Sequence, residues 1–139
     1  MKVYYKKLDS SAYTPFKRYP SDAGYDLVAT SVEYNEHGNL VCHTGLAFEI
    51  PRGYVGLLFP RSSSAHMSLT MANCVGVIDA SYRGEVTAEF RLISMKSIYK
   101  RGDRCCQLVV VPYLTLDFIE KKELSATERG SGGYGSTGL

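Results

Sequence analysis

Residues 74–90 read Cys-Val-Gly-Val-Ile-Asp-Ala-Ser-Tyr-Arg-Gly-Glu-Val-Thr-Ala-Glu-Phe, and this stretch decides the fold. Val75, Val77 and Ile78 are β-branched residues suited to a pleated surface, so 75–78 is expected to form a buried strand. Asp79 stands where that strand ends. Tyr82-Arg83-Gly84 then supplies turn chemistry leading into the next apolar run, 85–93, and the pair reads as a β-hairpin. The same rhythm extends in both directions. Runs at 3–8, 25–30, 39–43, 46–50, 54–59, 74–78, 107–112 and 116–120 are rich in Val, Ile, Leu, Phe and Tyr and close on Gly, Pro or Asp. Short strands roughly 8–12 residues apart with turn signals between them indicate an all-β sandwich or barrel. Long 3.6-residue periodicity is missing, and only 61–67 has serines placed to cap a helical turn or two. No internal repeat is visible, which excludes solenoids and propellers.

The 139 residues suffice for one domain. Sixteen basic and 14 acidic side chains leave a formal charge of +2, too little to draw nucleic acid or an acidic membrane from a distance. With 45% apolar and 22% charged residues the chain has the composition of a folded domain rather than a disordered one. No apolar run approaches the roughly 20 residues that span a bilayer. The lysine-rich start, Met1 to Lys7, lacks the apolar core of a signal peptide. Cys42, Cys74, Cys105 and Cys106 form no Cys-x-x-Cys pair, and His37, His43 and His66 lack the spacing to join them at zinc. Buried, reduced thiols in a cytoplasmic protein are expected, with Cys105 and Cys106 on opposite faces of a strand. For a viral gene the compartment would be the host-cell cytoplasm.

Residues 125–139 hold five of the thirteen glycines, no proline and one aromatic residue, Tyr134. Such a tail cannot repay its ordering entropy alone, so the expected organisation is a β domain at 1–124 followed by a flexible glycine-rich segment at 125–139. Arg129, Tyr134, Ser136 and Thr137 are ligand-contacting residue types among those glycines, and the segment is expected to order over a ligand. Gly130-Ser131-Gly132-Gly133-Tyr134-Gly135 matches the dinucleotide fingerprint only formally, because no βαβ unit surrounds it. As a P-loop it fails too, Ser136 standing where lysine should be. What survives is backbone N–H groups able to approach an anion, with Arg129 as a forked donor.

Other candidates each have two readings. Pro60-Arg61-Ser62-Ser63-Ser64 is a phosphate cradle or a common serine loop. Asp79 can orient and deprotonate a water, or be a solvated turn residue. The Tyr82 ring can lie against a sugar or base. Asp22-Ala23-Gly24-Tyr25-Asp26-Leu27 sets a carboxylate at a strand entrance. Arg101-Gly102-Asp103-Arg104 reads as a turn with a local Asp–Arg pair, after which Gln107 opens a strand and can offer its amide to a phosphate.

Their order is more telling than any one of them. Ala-Gly-Tyr-Asp-Leu, Pro-Arg-Ser-Ser, Gly-Val-Ile-Asp with Tyr-Arg-Gly-Glu, Gly-Asp-Arg before Gln-Leu, and Arg-Gly-Ser-Gly-Gly-Tyr-Gly-Ser-Thr-Gly succeed one another over 22–138. In this the chain resembles the trimeric dUTP pyrophosphatases, the dUTPases. The resemblance implies a jelly-roll-like β-barrel, a homotrimer with three shared active sites, and Mg²⁺-assisted hydrolysis of dUTP to dUMP and pyrophosphate. That reaction keeps uracil out of DNA and supplies dUMP for thymidylate synthesis. It further implies that Asp79 holds the water that attacks the α-phosphorus. Tyr82 would stack on deoxyribose, Asn73 would read the uracil edge, and Arg61, Ser62, Ser63 and Gln107 would bind phosphates. Mg²⁺ would be held by the substrate's own phosphates, with Asp26 as nearby support. Tyr134 would cover the base from another subunit, and Arg129, Gly133, Gly135, Ser136 and Thr137 would close on the phosphates. Ser63 departs from the glycine of many relatives, and Tyr134 from their phenylalanine.

Two alternatives stand beside this. A dCTP deaminase of the same fold, or a bifunctional form, would place its catalytic glutamate at Glu89. His66 and Ala80-Ser81 depart from that pattern, so Glu89 is expected to be a structural strand residue. A non-catalytic nucleotide-binding or regulatory protein would have no chemical reason to keep Asp79, Tyr82, Gln107 and Arg129 together.

Overall fold

Ten strands and one short 3₁₀ turn, Ser62–His66, make up the described part of the protein, a computed structural model covering residues 1–94 and 96–133. The strands are β1 (Tyr4–Lys7), β2 (Tyr25–Val28), β3 (Ser31–Tyr34), β4 (Leu40–His43), β5 (Leu46–Glu49), β6 (Tyr54–Pro60), β7 (Leu69–Met71), β8 (Gly76–Ile78), β9 (Thr87–Leu92) and β10 (Arg104–Pro112). One antiparallel sheet has the order β2-β10-β6-β8, a second β3-β4-β9-β7, and β1 pairs with β5 as a ribbon. Period-two alternation turns one side of each sheet inward: Leu40 and Cys42 from β4, Ala88 and Phe90 from β9, Leu58 from β6 and Leu108 from β10. With Leu27, Leu46 and Val86 they form one apolar cluster between the sheets, the all-β, jelly-roll-like arrangement expected. No described helix is long and apolar enough to cross a membrane.

Several local expectations are corrected. Residues 75–84 do not make a hairpin, because β8 pairs with β6 in one sheet while β9 pairs with β4 and β7 in the other. The turn bends the chain from sheet to sheet. Nor is the first of these strands buried, for β8 is an edge strand with Val77 on its outer face. Residues 116–120 form no strand, since no edge of this chain pairs with them, and Leu116, Phe118 and Ile119 are exposed. The polar Ser31–Tyr34 and the short Leu69–Met71 are strands that the apolar pattern missed. Cys105 and Cys106 do not face opposite ways. A bulge between Arg104 and Cys106 turns both thiols into the core, 3.8 Å apart, while Cys74 is exposed.

Candidate active site

Strand β10 sets the first cluster. Gln107 pairs with Asp26 on β2 and with Phe59 on β6, so the three lie in one row across the sheet. Arg61 follows β6 and turns back to Asp26, with Nε 2.8 Å from Oδ1. Arg104, at the start of β10, donates from Nη1 to Oδ2 of the same carboxylate at 2.9 Å. In place of the expected local Asp–Arg pair, Asp103 Oδ2 accepts from the Lys100 backbone N–H at 2.7 Å. Arg61 Nη1 also donates to Ser63 Oγ at 3.1 Å, and Gln107 Nε2 to the Pro60 carbonyl at 3.1 Å. A Cβ on Gly24 would lie 2.5 Å from Gln107 Oε1, so a larger residue there would push the Gln107 amide out of its place. Asp26, Arg61, Arg104 and Gln107 line a cleft of about 530 Å³ that also takes in Arg18, Asp22 and Ser62, whereas Ser63 lies outside its lining. Three guanidinium groups against two carboxylates leave it cationic. With the Ser62 hydroxyl and a glutamine amide at hand, it is chemically suited to phosphate.

A second cluster lies at the other end of β6. Asp79 follows β8 and is exposed, and its carbonyl accepts the Tyr82 N–H at 3.0 Å. Arg83 Nη1 donates to the carbonyls of Ala80 (2.7 Å) and Tyr82 (2.9 Å), bracing the turn from within. The Tyr82 ring folds over Gly84, where a Cβ would overlap it, and its hydroxyl donates to the Glu85 carbonyl at 3.0 Å. Asn73 stands apart from these three: exposed in the loop before β8, it has its side-chain amide beside Gly76, which pairs with Leu58 at the end of β8 away from Asp79. Asp79 borders two clefts, one of about 1160 Å³ shared with Arg52, Tyr54, Arg83 and Tyr113, and one of about 160 Å³ shared with Tyr82 and Glu85.

The two clusters do not meet within one chain. The register Gly56↔Ile78 sets Asp79 beside Val55. Arg61 lies six residues farther along, roughly 20 Å at about 3.3 Å per residue. Arg129 lines neither cleft; its Nε donates to the Gly132 carbonyl at 2.9 Å, next to a half-buried Gly133. Tyr134, Gly135, Ser136 and Thr137 lie outside the described residues. Among the described residues no cluster of three His, Cys, Asp or Glu side chains could hold a metal ion. Asp26 has both oxygens engaged by arginine, which suits holding Arg61 in place rather than ligating a cation.

Glu89 belongs to neither cluster. Its Oε1 accepts from the side-chain amides of Asn35 (2.6 Å) and Asn39 (2.8 Å), clamping the β3–β4 turn. Those two bonds, Asn39's first, hold its carboxyl below the usual range. Arg18 and Arg104 are cleft residues that sequence reading passed over. Arg104 does stand in the Gly-Asp-Arg that precedes Gln-Leu, but there it reads as part of a turn.

Comparison with known proteins agrees with this arrangement. The sequence model of the dUTPase family matches residues 10–138. A deoxyuridine 5'-triphosphate nucleotidohydrolase from Hydrogenobaculum sp. is 38% identical over 143 residues, covering 100% of this chain and 99% of that one. Its counterpart from Corynebacterium glutamicum is 42% identical over 136 residues, covering 95% of this chain and 91% of its own length. Among solved structures, the Staphylococcus bacteriophage 80alpha dUTPase with dUpNHpp superposes with a TM-score of 0.85 at 29% identity, covering 99% of both chains. A mutant dUTPase of phage phi11 of S. aureus, described with a structural Mg(II) ion, superposes with a TM-score of 0.74 at 27% identity over 88% of this chain and 98% of that one. On these grounds the chain belongs to the dUTPase family.

Proposed function

We propose that this dUTPase hydrolyses dUTP to dUMP and pyrophosphate in sites shared between three copies of the chain. The observation that carries this reading is the cationic cleft at Asp26, Arg61, Ser62 and Gln107, lying some 20 Å from Asp79 as estimated from the strand rise. A base and the phosphorus it serves must come within hydrogen-bond reach of one water. One copy therefore supplies the phosphate cleft and another supplies Asp79, Tyr82 and Asn73. The exposed apolar run beyond β10, with Leu114, Leu116, Phe118 and Ile119 unburied, favours the same assembly.

In this mechanism Asp79 orients a water and takes its proton. The water oxygen bonds to the α-phosphorus in line as the bond to the bridging oxygen breaks, and pyrophosphate leaves. Arg61, which Asp26 keeps in place, faces the phosphate charge together with Ser62, Ser63 and Gln107. Magnesium would be held by the nucleotide's own phosphates rather than by a carboxylate cage of this chain, and would supply neutralisation of part of their charge. Tyr82 packs on the deoxyribose where a 2′-hydroxyl would clash, and Asn73 meets the base. Residues 1–124 act as the body and 125–139 as the lid, with Arg129, Gly133, Tyr134, Gly135, Ser136 and Thr137 closing on the nucleotide. The reaction removes dUTP from the DNA precursor pool and yields dUMP for thymidylate synthesis, in the cytoplasm of the cell or host cell. Pyrophosphate release with dUTP, dTTP, dCTP and UTP side by side, with and without Mg²⁺, tests this. Turnover of dUTP alone is expected. Ammonia release from dCTP, or inertness toward dUTP, would overturn the assignment.

A further inference from the structure

The loop that carries Asp79 and Tyr82 ends on a charged pair with no part in the chemistry above. Glu85 Oε2 lies 2.9 Å from His43 Nδ1, and Glu85 Oε1 accepts the Gly45 N–H at 2.7 Å. The backbone carbonyl of the same glutamate accepts the Tyr82 hydroxyl at 3.0 Å. One residue thus joins the aromatic ring to the corner between β4 and β5. That corner is itself firmly held. The His43 carbonyl accepts both the Thr30 N–H (2.7 Å) and the Thr30 hydroxyl (3.1 Å), and buried Thr44 donates to the Val86 carbonyl at 2.6 Å. At Gly45, with φ +65°, the space a Cβ would need is filled by Asp9 and Ala12. The imidazole and carboxylate are only 29% and 27% exposed, shielded enough for their contact to constrain the loop.

We propose that His43 is a positioning residue for substrate binding, its imidazolium holding Glu85 and, through Glu85, the Tyr82 ring. The proposal rests on the reading that Tyr82 packs on the sugar. Two carboxylates face His43: Glu85 from the loop before β9, and Glu33 from β3, whose Oε1 lies 3.3 Å from Nε2. Its ladder neighbours, Thr87 on β9 and Ser31 on β3, are uncharged. Acceptors on both ring nitrogens favour the doubly protonated ring, because a neutral imidazole has one N–H to donate. The Glu85 bond, then the Glu33 bond, accordingly hold His43 above its ordinary range. On deprotonation one bond and the charge are lost together, and the anchor of the loop loosens.

The test is steady-state kinetics with Mg–dUTP from about pH 6 to about pH 9, comparing the wild type with His43→Gln and Glu85→Gln. At low pH, KM of His43→Gln is expected to exceed the wild-type value several-fold, with kcat within a factor of two. The gap closes as the wild-type imidazole deprotonates. Ionisation of the triphosphate is common to both proteins and cancels in the ratio. Glu85→Gln raises KM similarly. A KM ratio near one at every pH, or a change in kcat instead, overturns the proposal. A wild type that does not turn over dUTP would sink the functional reading instead. Should the variants not fold, the wild type still decides by reciprocity: a non-hydrolysable dUTP analogue must raise the pKa of the His43 ring followed by NMR. An unchanged titration overturns the proposal.

Discussion

Asp79 differs from the other carboxylates near the clefts in what its oxygens touch. Asp26 is held by two arginines, Glu85 by His43 and a backbone N–H, Glu89 by two asparagine amides and Asp22 by the Tyr19 N–H. Among the described residues the Asp79 side chain has no such partner, and it is exposed beside two clefts. A general base needs a free oxygen, and here Asp79 has one. Asparagine has nearly the same shape but accepts no proton. Asp79→Asn is therefore expected to lower kcat by about 10²–10⁴, the usual range for loss of a general base. Affinity for a non-hydrolysable dUTP analogue should stay within a few-fold. Turnover assays and calorimetry check the two halves, and undiminished kcat removes Asp79 from the chemistry. The position of Asp79 at a strand's end was legible in the sequence because its signal is local: a carboxylate ending an apolar run, followed by Tyr-Arg-Gly. The partners of Asp26 were not, since Arg104 reaches it from 78 positions away and only strand pairing brings them together.

At the scale of elements, the β3–β4 turn illustrates how a buried-face pattern leaves out what holds a loop. Asn35 Oδ1 accepts the N–H groups of His37 and Asn39 at 3.0 Å each, and Glu89 on β9 clamps both asparagine side chains from across the sheet. Because those bonds lower the Glu89 pKa, the folded state holds this proton less tightly than the unfolded chain. Its stabilising contribution is complete above the ordinary carboxylate pKa and disappears as pH falls through the lowered value. Glu89→Gln keeps the size and an oxygen that can accept both amides, but removes the charge that strengthens those two bonds. It is expected to cost about 1 kcal/mol near neutral pH, and the difference in melting temperature from the wild type should narrow on acidification. Circular dichroism melts at fixed protein concentration measure this, and a gap that is constant with pH refutes the role. The strands around this turn show what sequence could and could not tell. Most of those with inward Leu, Val or Phe were evident as apolar runs closed by turn residues, while Leu69–Met71 was too short to register. Ser31–Tyr34 was hidden because polar Ser31 and Glu33 separate its two strand formers, Val32 and Tyr34, and leave no apolar run. The mistaken hairpin at 75–84 has the same origin: turn chemistry fixes a local bend but not the sheet to which the next strand goes.

For the whole molecule, surface area bears on assembly. The chain exposes 10145 Å², whereas a compact monomer of this mass exposes roughly 7,200 Å². Residues 112–131 are all exposed, and among them Leu114, Leu116, Phe118, Ile119 and Leu124 present apolar side chains. Residues 116–120 read as a strand in the sequence yet pair with no strand among the described residues, a distinction that an apolar run alone cannot make. Such a surface fits a chain completed by its neighbours, as does the distance between Arg61 and Asp79. Subunit mixing separates this from any site contained in one chain. Arg61→Ala and Asp79→Asn should each be nearly inactive alone. After co-refolding in equal amounts, a cyclic trimer pairs the intact Arg61 of one variant with the intact Asp79 of the other at about a quarter of its sites. Recovered kcat should then approach about a quarter of the wild-type value, since two independent choices of one in two fix each junction. A site built within one chain gives no recovery, because every copy would carry one defect. Activity in the mixture no higher than that of the separate variants would therefore refute the shared site while leaving the fold untouched.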